Sequence, residues 1–336
     1  MRRYGKHTDE DDIRSRPNRK GTRPRTHTRP KHEEASWGMV LTVDRGRLTC
    51  LVEGRTVMAM KARELGRKAA VVGDRVALVG DLSGKKDTLA RIVRIEERTS
   101  VLRRTADDDD PYERVVVANA DQLAIVTALA DPEPRPRLID RCLVAAYDGG
   151  LEPLLVMTKS DLASPDKLWE LYGDLDIPFV VTSREELESG AALGRVVEQL
   201  AGKVTAFIGH SGVGKTTLVN ALVPEDRRRL TGHVNAVTGR GRHTTTSALA
   251  LPLGDSDGWV IDTPGLRSFG LAHIDPSRVI LAFPDLEPGT VNCPRGCSHD
   301  EPDCALDQWV ADGHADPARL YSLRRLLSTR ERRDGD

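Results

Sequence analysis

A phosphate-binding loop is the strongest chemical signal in the sequence. Residues 209–216 fit G-x-x-x-x-G-K-[ST], whose glycines let backbone N–H groups curl around a polyphosphate at the start of a helix. Lys215 is expected to reach the β- and γ-phosphates in a catalytic role, and the Thr216 hydroxyl to bind Mg²⁺. The loop residues expected to contact a nucleotide are Gly209, His210, Ser211, Gly212, Val213, Gly214, Lys215, Thr216 and Thr217. The loop alone predicts a nucleoside triphosphate without selecting the base.

A base-recognition signal precedes this loop, in Thr158-Lys159-Ser160-Asp161. It resembles the N-K-x-D guanine motif of GTPases, with Thr158 in place of Asn. Asp161 would accept two hydrogen bonds from the guanine ring N–H and amine, a pair that adenine lacks. Lys159 would cover one face of the ring, and the loop at Ser183 would support the base from the other side. The four residues also fit a plain polar turn, but their position after a buried strand in a chain with a P-loop favours guanine.

A metal and γ-phosphate signal follows in Asp262-Thr263-Pro264-Gly265, which fits D-x-x-G. Asp262 would hold Mg²⁺ through water, and the Gly265 N–H would sense the γ-phosphate. One threonine of residues 244–246 resembles the switch threonine that binds Mg²⁺; the sequence does not distinguish the three, and we assign Thr245.

The position after D-x-x-G carries Leu266, where many GTPases have the Gln that orients the attacking water. Hydrolysis is therefore expected to be slow without a partner. His243, beside the switch threonines, is the candidate substitute, against the alternative of a solvated loop histidine.

A compact cysteine and histidine cluster lies near the end of the chain: Cys293, Cys297, His299 and Cys304. Three thiolates and one imidazole suit a tetrahedral structural Zn²⁺ with no open position, against the alternative of free thiols. The remaining cysteines, Cys50 and Cys142, stand in apolar strand and helix patterns and are predicted to be core residues.

The nucleotide motifs require a sheet that presents them together. Buried strand-like runs at 123–127, 153–157, 179–183, 204–208 and 259–261 alternate with helical patterns, including an interrupted helix over 185–201. This alternation predicts a parallel α/β sheet, with each motif at the carboxyl end of a strand, where such sheets bind ligands. The base motif precedes the P-loop, the reverse of the usual GTPase order. We therefore predict a circular permutation that leads the D-x-x-G loop directly into the C-terminal region.

The N-terminal third differs in composition from the rest. Residues 37–105 read as short strands separated by turns and carry 15 Lys/Arg against 8 Asp/Glu, which predicts an OB-type barrel that binds RNA or, alternatively, a protein-docking module. Residues 1–36 carry 11 Lys/Arg against 6 Asp/Glu with little apolar content, and are predicted to be a disordered basic tail that contacts RNA or only aids solubility. No apolar run approaches the roughly 18 residues of a membrane span and no secretory signal is evident, so we expect a cytoplasmic protein.

A basic C-terminal end is expected either to contact RNA or to form a solvated helix face. Its arginines are Arg319, Arg324, Arg325, Arg330, Arg332 and Arg333.

Together the motifs resemble the ribosome small subunit-dependent GTPase A family, the YjeQ-type circularly permuted GTPases. The chain departs from the family at Thr158 and in a cysteine cluster that is shorter by one residue in two loops. The resemblance implies a multidomain protein with a tail (1–36), an OB-type β-barrel (37–105), a circularly permuted α/β P-loop GTPase domain (112–275) and a mostly helical zinc-binding module (276–336).

The same resemblance implies a function. The expected activity is hydrolysis of GTP to GDP and phosphate, with Mg²⁺, by a protein that binds the small ribosomal subunit and its rRNA late in maturation and that the ribosome stimulates. A monomer without membrane or DNA partners is expected. Two other classes stay open: a P-loop ATPase or kinase, and an RNA-binding scaffold with a structural nucleotide.

Overall fold

The computed structural model describes residues 34–65, 70–104, 114–225, 248–254, 256–264 and 276–328. The strands are β1 Ser36–Asp44, β2 Arg47–Val52, β3 Arg55–Lys61, β4 Arg75–Gly80, β5 Ala90–Ile95, β6 Val101–Arg104, β7 Arg114–Ala118, β8 Gln122–Ala128, β9 Glu152–Thr158, β10 Phe179–Val181, β11 Val204–Gly209, β12 Leu249–Pro252 and β13 Trp259–Asp262. The helices are α1 Pro136–Gly149, α2 Asp166–Tyr172, α3 Arg184–Glu188, α4 Leu193–Leu200, α5 Lys215–Leu222, α6 Pro276–Val279, α7 Ala305–Ala311 and α8 Pro317–Ser328.

The first five strands form a closed barrel. Strand β1 pairs with β2 and β4, β2 pairs with β3, β3 runs parallel to β5, and β5 pairs with β4. Alternating residues such as Val40, Cys50, Val57, Leu78 and Ile92 point inward and are fully buried. The predicted OB-type barrel and the predicted core position of Cys50 are both confirmed.

The nucleotide motifs are carried by a second group of strands, in the order β10-β9-β8-β11-β13-β12. Strands β8, β9, β10, β11 and β13 are parallel, and β12 runs antiparallel to β13. Every residue of the central strand β8 is buried, because helices cover both faces of the sheet. One face packs against α1, and the other against α4 and α5. The predicted parallel α/β sheet is therefore confirmed.

The segment predicted as one interrupted helix over 185–201 is two helices, α3 and α4. The chain leaves α3 at Ser189 and passes through Gly190, whose φ of +80° is a left-handed conformation that ends a helix. Gly194, which the sequence suggests as a second interruption, lies inside α4 and does not break it.

The barrel is joined to the sheet by side-chain and backbone bonds. Arg98 lies between β5, the last barrel strand, and β6. Its guanidinium binds both carboxylate oxygens of the fully buried Asp74 at 2.7 and 2.9 Å. The Asn119 amide donates to the Gly73 carbonyl at 3.0 Å. Thr42 of β1 also pairs with Leu249 of β12, which makes the barrel and the central sheet one continuous array of strands.

The C-terminal helices pack against α1 through a shared apolar core that includes Leu323 and Leu326 of α8. Two arginines for which the sequence predicts RNA or solvent contact make this junction instead. Arg319 binds both oxygens of Asp285 and one of Asp176, and Arg325 donates to the Leu171 carbonyl. Arg319 and Arg325 have side chains only 13% and 14% exposed. Arg330, Arg332 and Arg333 lie outside the described residues.

Within the described part of the chain, no helix combines the length and the apolar character needed to cross a membrane.

Candidate functional site

The P-loop connects the end of β11 to the start of α5. Gly209 must be a glycine because a Cβ there would lie 2.6 Å from the Val126 carbonyl oxygen of the neighbouring strand. Gly214 has a φ of +87°, a conformation in which a side chain would be strained, immediately before the first helical residue, Lys215. The loop thus aims backbone N–H groups and the helix N-terminus at one point, the arrangement that binds phosphate.

Lys215 lies at the centre of the phosphate side of the site. Its buried ammonium donates to the Asp262 carboxylate and, at 2.6 Å, to the Thr263 carbonyl. The Thr263 hydroxyl in turn donates to the Phe207 carbonyl at 2.6 Å, which ties the end of β13 to β11. Thr216 and Thr217 are exposed in the first turn of α5. The residues predicted for phosphate and for Mg²⁺ therefore meet at the ends of neighbouring strands.

The base-recognition loop begins at the end of β9. The Thr158 hydroxyl donates to the Val213 carbonyl of the P-loop at 2.6 Å. Lys159 has a φ of +60° and its ammonium donates to the Asp131 carbonyl. The Asp161 carboxylate is exposed, as a base ligand must be.

The loop after β10 supports the base-recognition loop (residues 158–161, called the base loop below) through a hydrogen bond between the two backbones. The Ser160 N–H donates to the Thr182 carbonyl at 3.2 Å. Ser183 begins α3 with a capping box: its hydroxyl accepts from the Glu186 N–H at 3.1 Å, and its own N–H donates to the Glu186 carboxylate at 3.0 Å. A hydrogen bond from Arg195 lowers the pKa of Glu186, which favours the ionised form that the cap uses.

The structure brings most of the predicted nucleotide residues to one edge. Residues 158–161, Ser183, residues 209–217 and Asp262 follow the carboxyl ends of β9, β10, β11 and β13. Three predicted residues lie outside the described part of the chain: His243, Thr245 and Gly265.

One element of the site was missed by the sequence analysis. The loop after β8 supplies the Asp131 carbonyl that binds Lys159, and Pro132 is the nearest neighbour, at 3.7 Å, of a Cβ placed on Gly212. This loop therefore borders both the base loop and the P-loop. The sequence could have pointed to this loop. It follows the buried strand β8, and the carboxyl ends of parallel strands meet at one edge of the sheet, where ligands bind.

The cysteine and histidine cluster has the dimensions of a tetrahedral metal site. The ligand atoms of Cys293, Cys297, His299 and Cys304 all lie within 4.8 Å of one another. Cys293 Sγ is 3.7 Å from His299 Nδ1 and 3.9 Å from Cys304 Sγ. Ligands about 2.3 Å from a tetrahedral zinc are separated by about 3.8 Å, so the three thiols and the imidazole fit this ion. Burial lowers the pKa of His299, which keeps the imidazole neutral and able to bind a metal.

The cysteine and histidine cluster is held in place by hydrogen bonds around it. Glu301 accepts from the Cys297 thiol at 3.1 Å and from the Ser298 N–H. Arg324 donates to the His299 carbonyl at 2.7 Å and binds both carboxylate oxygens of Asp307 in α7. Arg324 therefore fixes the backbone of His299 to the helix that follows the cluster, a role unlike the RNA contact or the solvated helix face considered for it.

Comparison with known proteins agrees with this geometry. The family model described as RsgA GTPase matches residues 95–272. A relative from Gemmatimonas aurantiaca, named small ribosomal subunit biogenesis GTPase RsgA, is 36% identical over 85% of this chain and 92% of its own length. A relative of the same name from Pseudomonas putida is 38% identical over 78% of this chain and 75% of its own.

Solved structures give the same result. The crystal structure of YjeQ from Thermotoga maritima superposes with a TM-score of 0.62 at 27% identity, covering 89% of this chain and 99% of that one. YloQ, described as a circularly permuted GTPase, superposes with a TM-score of 0.61 at 22% identity over 89% of this chain and 96% of its own, a likeness of fold. With the permuted motif order, the closed barrel and the cysteine and histidine cluster all in place, the chain belongs to the RsgA GTPase family.

Proposed function

We propose that this GTPase binds the small ribosomal subunit and assists its late maturation, with the subunit stimulating hydrolysis of GTP to GDP and phosphate. The observation that carries the proposal is the match to relatives named small ribosomal subunit biogenesis GTPase RsgA along almost their whole length. The match includes the barrel and the C-terminal module as well as the nucleotide site. A shared catalytic core alone would not support a shared partner.

In this proposal the described residues each bind a different part of the nucleotide. Asp161 accepts the guanine N–H groups, Lys159 covers the ring, and the loop at Ser183 closes the other side. The P-loop N–H groups and Lys215 bind the phosphates. Thr216 and Asp262 provide the hydroxyl and carboxylate oxygens that Mg²⁺ prefers, so these residues fit the ion, which would neutralise charge on the phosphates.

The switch residues complete the proposed reaction. Thr245 would bind Mg²⁺, Gly265 would sense the γ-phosphate, and His243 would orient the attacking water in place of the Gln that Leu266 replaces. A partner would complete the reaction centre, which is why the isolated protein is expected to turn over slowly.

The barrel offers a specific surface for rRNA. Trp37 of β1 is 38% exposed, and the guanidinium groups of Arg75 and Arg94 lie over its ring at 5.6 and 5.3 Å from the centroid. Trp37 and Arg94 are the register partners of Ala77, which is fully buried beneath them. A partly exposed indole beside two cations suits the stacking of an unpaired base next to its phosphates.

Zn²⁺ is the proposed occupant of the cysteine and histidine cluster, where four protein ligands leave no position for substrate. Its proposed role is to hold the C-terminal module in the shape that docks on α1. We further propose that the protein acts as a cytoplasmic monomer and that DNA is not a partner.

The proposal is tested by sedimentation of the full chain with purified small subunits. Binding is expected with a non-hydrolysable GTP analogue and is expected to weaken with GDP, while large subunits serve as the control. Equal sedimentation with both subunits would contradict the proposed partner.

A further inference from the structure

An arginine of the C-terminal helix contacts two helices of the nucleotide-binding part of the chain. Arg325 of α8 donates from Nη1 to the Leu171 carbonyl at 3.0 Å, and its guanidinium lies over the Tyr172 ring, 4.8 Å from the centroid. Its Nη2 lies 3.4 Å from a carboxylate oxygen of the buried Asp140 in α1. This one side chain therefore contacts both α1 and the last two residues of α2.

The contact is not arranged as an ordinary ion pair. Among the residues that the structure describes, the Arg325 Nε and Nη2 atoms and the Asp140 Oδ1 atom are buried without a hydrogen-bond partner. A bidentate bond between the guanidinium and the carboxylate would pair all three atoms and is a stronger arrangement. The guanidinium instead lies where it contacts Leu171 and Tyr172, at a cost in stability. The position of Arg325 is therefore set by α2 rather than by the ion pair.

Helix α2 is connected to the base loop by a short bonded segment. The helix begins five positions after Asp161. The Leu162 N–H donates to the Lys159 carbonyl at 3.0 Å, and at the start of α2 the Leu168 N–H donates to the Pro165 carbonyl at 2.9 Å. Because a helix is held by its internal hydrogen bonds, a displacement at its end moves its start as well. The position of α2 therefore influences the position of Asp161.

Helix α1 provides a second connection to the base loop. The Tyr172 hydroxyl donates at 3.0 Å to the carbonyl of Pro136, the first residue of α1. The loop before α1 contacts the base loop twice, through the Leu129 N–H, which donates to the Thr158 carbonyl at 2.9 Å, and through the Asp131 carbonyl. The base loop, α2, α1 and the loop after β8 thus form a closed ring of contacts. Arg325 lies against this ring where α2 meets α1.

We propose that Arg325 is a positioning residue for guanine recognition: it holds the end of α2 against α1, and both connections transmit that position to Asp161. The inference rests on the proposed function, in which Asp161 accepts the guanine N–H groups. Hydrogen bonds weaken steeply when their distance and angle change, so a small displacement of this carboxylate weakens binding of the base. Base selection then depends on a side chain that lies outside every nucleotide motif, on the last helix of the described chain.

The substitution that tests this role is Arg325→Lys. Burial raises the pKa of Asp140 to about 6, and the charge of Arg325 opposes that rise, so the variant should keep a positive charge here. Lysine keeps the charge, but its ammonium has no planar fork and cannot contact the Leu171 carbonyl, the Tyr172 ring and Asp140 together. The variant therefore breaks the contact with α2 and leaves the Asp140 carboxylate beside a cation.

The measurement is the affinity of the full chain for GDP and for IDP, which lacks the exocyclic amine that Asp161 is proposed to bind. One hydrogen bond to a charged group discriminates roughly ten- to hundredfold, and wild type should prefer GDP by about that factor. Arg325→Lys should weaken GDP binding by about tenfold and IDP binding by less, so that the preference falls at least about threefold. A loss of folded protein alone would lower both affinities equally and leave the preference unchanged.

The matched control is Arg319→Lys. Arg319 lies on the same helix at the same junction, and its guanidinium binds Asp285, Asp176 and the Asp174 carbonyl, none of which belongs to α1 or α2. This variant should loosen the junction but keep the preference for GDP within about twofold of wild type. An unchanged preference in Arg325→Lys would overturn the inference. An equal fall in both variants would also overturn it, because the effect would then come from general loosening of the junction.

A second readout does not depend on nucleotide. In the nucleotide-free chain, Arg325→Lys should speed hydrogen exchange of the Ser160, Leu162 and Leu168 amides at least about threefold, and Arg319→Lys should not. Equal affinity of the wild type for GDP and IDP would reject the proposed base site, while the exchange comparison would still decide whether Arg325 holds α2 and the base loop. Unchanged exchange at these three amides in Arg325→Lys would reject the positioning role itself.

Discussion

Lys215 donates a hydrogen bond to the carboxylate of Asp262, with both side chains buried at the carboxyl ends of β11 and β13. We assign Lys215 to the phosphates and Asp262 to Mg²⁺. Without these ligands, the two residues neutralise each other as an ion pair. A polyphosphate and a cation can each replace one member of this pair. Binding of the two ligands is therefore expected to be coupled, since either one alone would leave a buried charge without the opposite charge that neutralises it.

The first prediction concerns this ion pair. Lys215→Met should abolish GTP hydrolysis and lower the free energy of unfolding of the nucleotide-free chain by about 3 kcal/mol, because the buried Asp262 carboxylate loses the ammonium that neutralises its charge. Adding Asp262→Asn should recover part of that loss. Chemical denaturation of the two variants measures both effects, and Lys203→Met, which removes an exposed pair with Glu152, is the control. A double variant less stable than Lys215→Met would contradict the pairing.

The second prediction concerns base selection. Asp161→Asn replaces a side chain with two acceptors by one with an acceptor and a donor. The variant should therefore bind guanine nucleotides weakly and xanthine nucleotides well, because xanthine has a carbonyl where guanine has an amine. GTP affinity should fall at least about a hundredfold, the scale on which unpaired polar groups discriminate. Competition of GTP, XTP and ATP for the site measures the change. Because Asp161 is exposed, the melting temperature should stay the same, and retention of GTP preference would remove Asp161 from the base site.

The third prediction concerns the metal. The purified chain should contain one equivalent of zinc, and Cys304→Ser should lose it and loosen the C-terminal module, as detected by proteolysis near α7. Cys142→Ala is the matched control, because burial raises the pKa of the Cys142 thiol to about 12 and keeps it protonated in the core. Zinc retained by Cys304→Ser, or lost equally by Cys142→Ala, would argue against the assigned cluster.

The fourth prediction concerns the barrel surface. Trp37→Ala should weaken binding to small subunits roughly five- to a hundredfold, the range for loss of one stacked base. Trp169→Ala is the control, since Trp169 is similarly exposed, at 46%, on α2, and neither arginine of the barrel surface lies over its ring. Subunit binding at several salt concentrations separates the contribution of base stacking from that of charge. Arg94→Ala should reduce the salt dependence of binding, and Trp37→Ala should not. Equal effects of the two tryptophan changes would reject this surface.

Much of the site could be predicted because each motif is local. The P-loop needs a buried strand, a glycine-rich turn and a helix, and all three are contiguous in residues 204–222. The cysteine cluster is equally local, since its four ligands lie within twelve residues. The buried core positions of Cys50 and Cys142 could be predicted from the apolar pattern of their neighbours alone.

The contacts between distant segments could not be predicted in the same way. Arg319 and Arg325 had the spacing of an exposed basic face, yet carboxylates and carbonyls more than 100 residues away in sequence engage them. Likewise, Thr158 could be recognised as a departure from a motif, but its bond to Val213 and the unpaired hydroxyl of Thr182 depend on strand register. Periodicity reports burial and secondary structure, and it does not identify the partner of a polar side chain.

GTP hydrolysis by the full chain, with and without purified small ribosomal subunits, is the decisive experiment for the proposed function. Because Leu266 stands where a water-orienting Gln would be, the isolated chain should be slow, and subunits should raise its rate at least about tenfold, a barrier lower by about 1.4 kcal/mol. His243→Ala should lose most of that stimulation while still binding GTP. A turnover rate that does not change when small subunits are added would contradict a ribosome-stimulated GTPase.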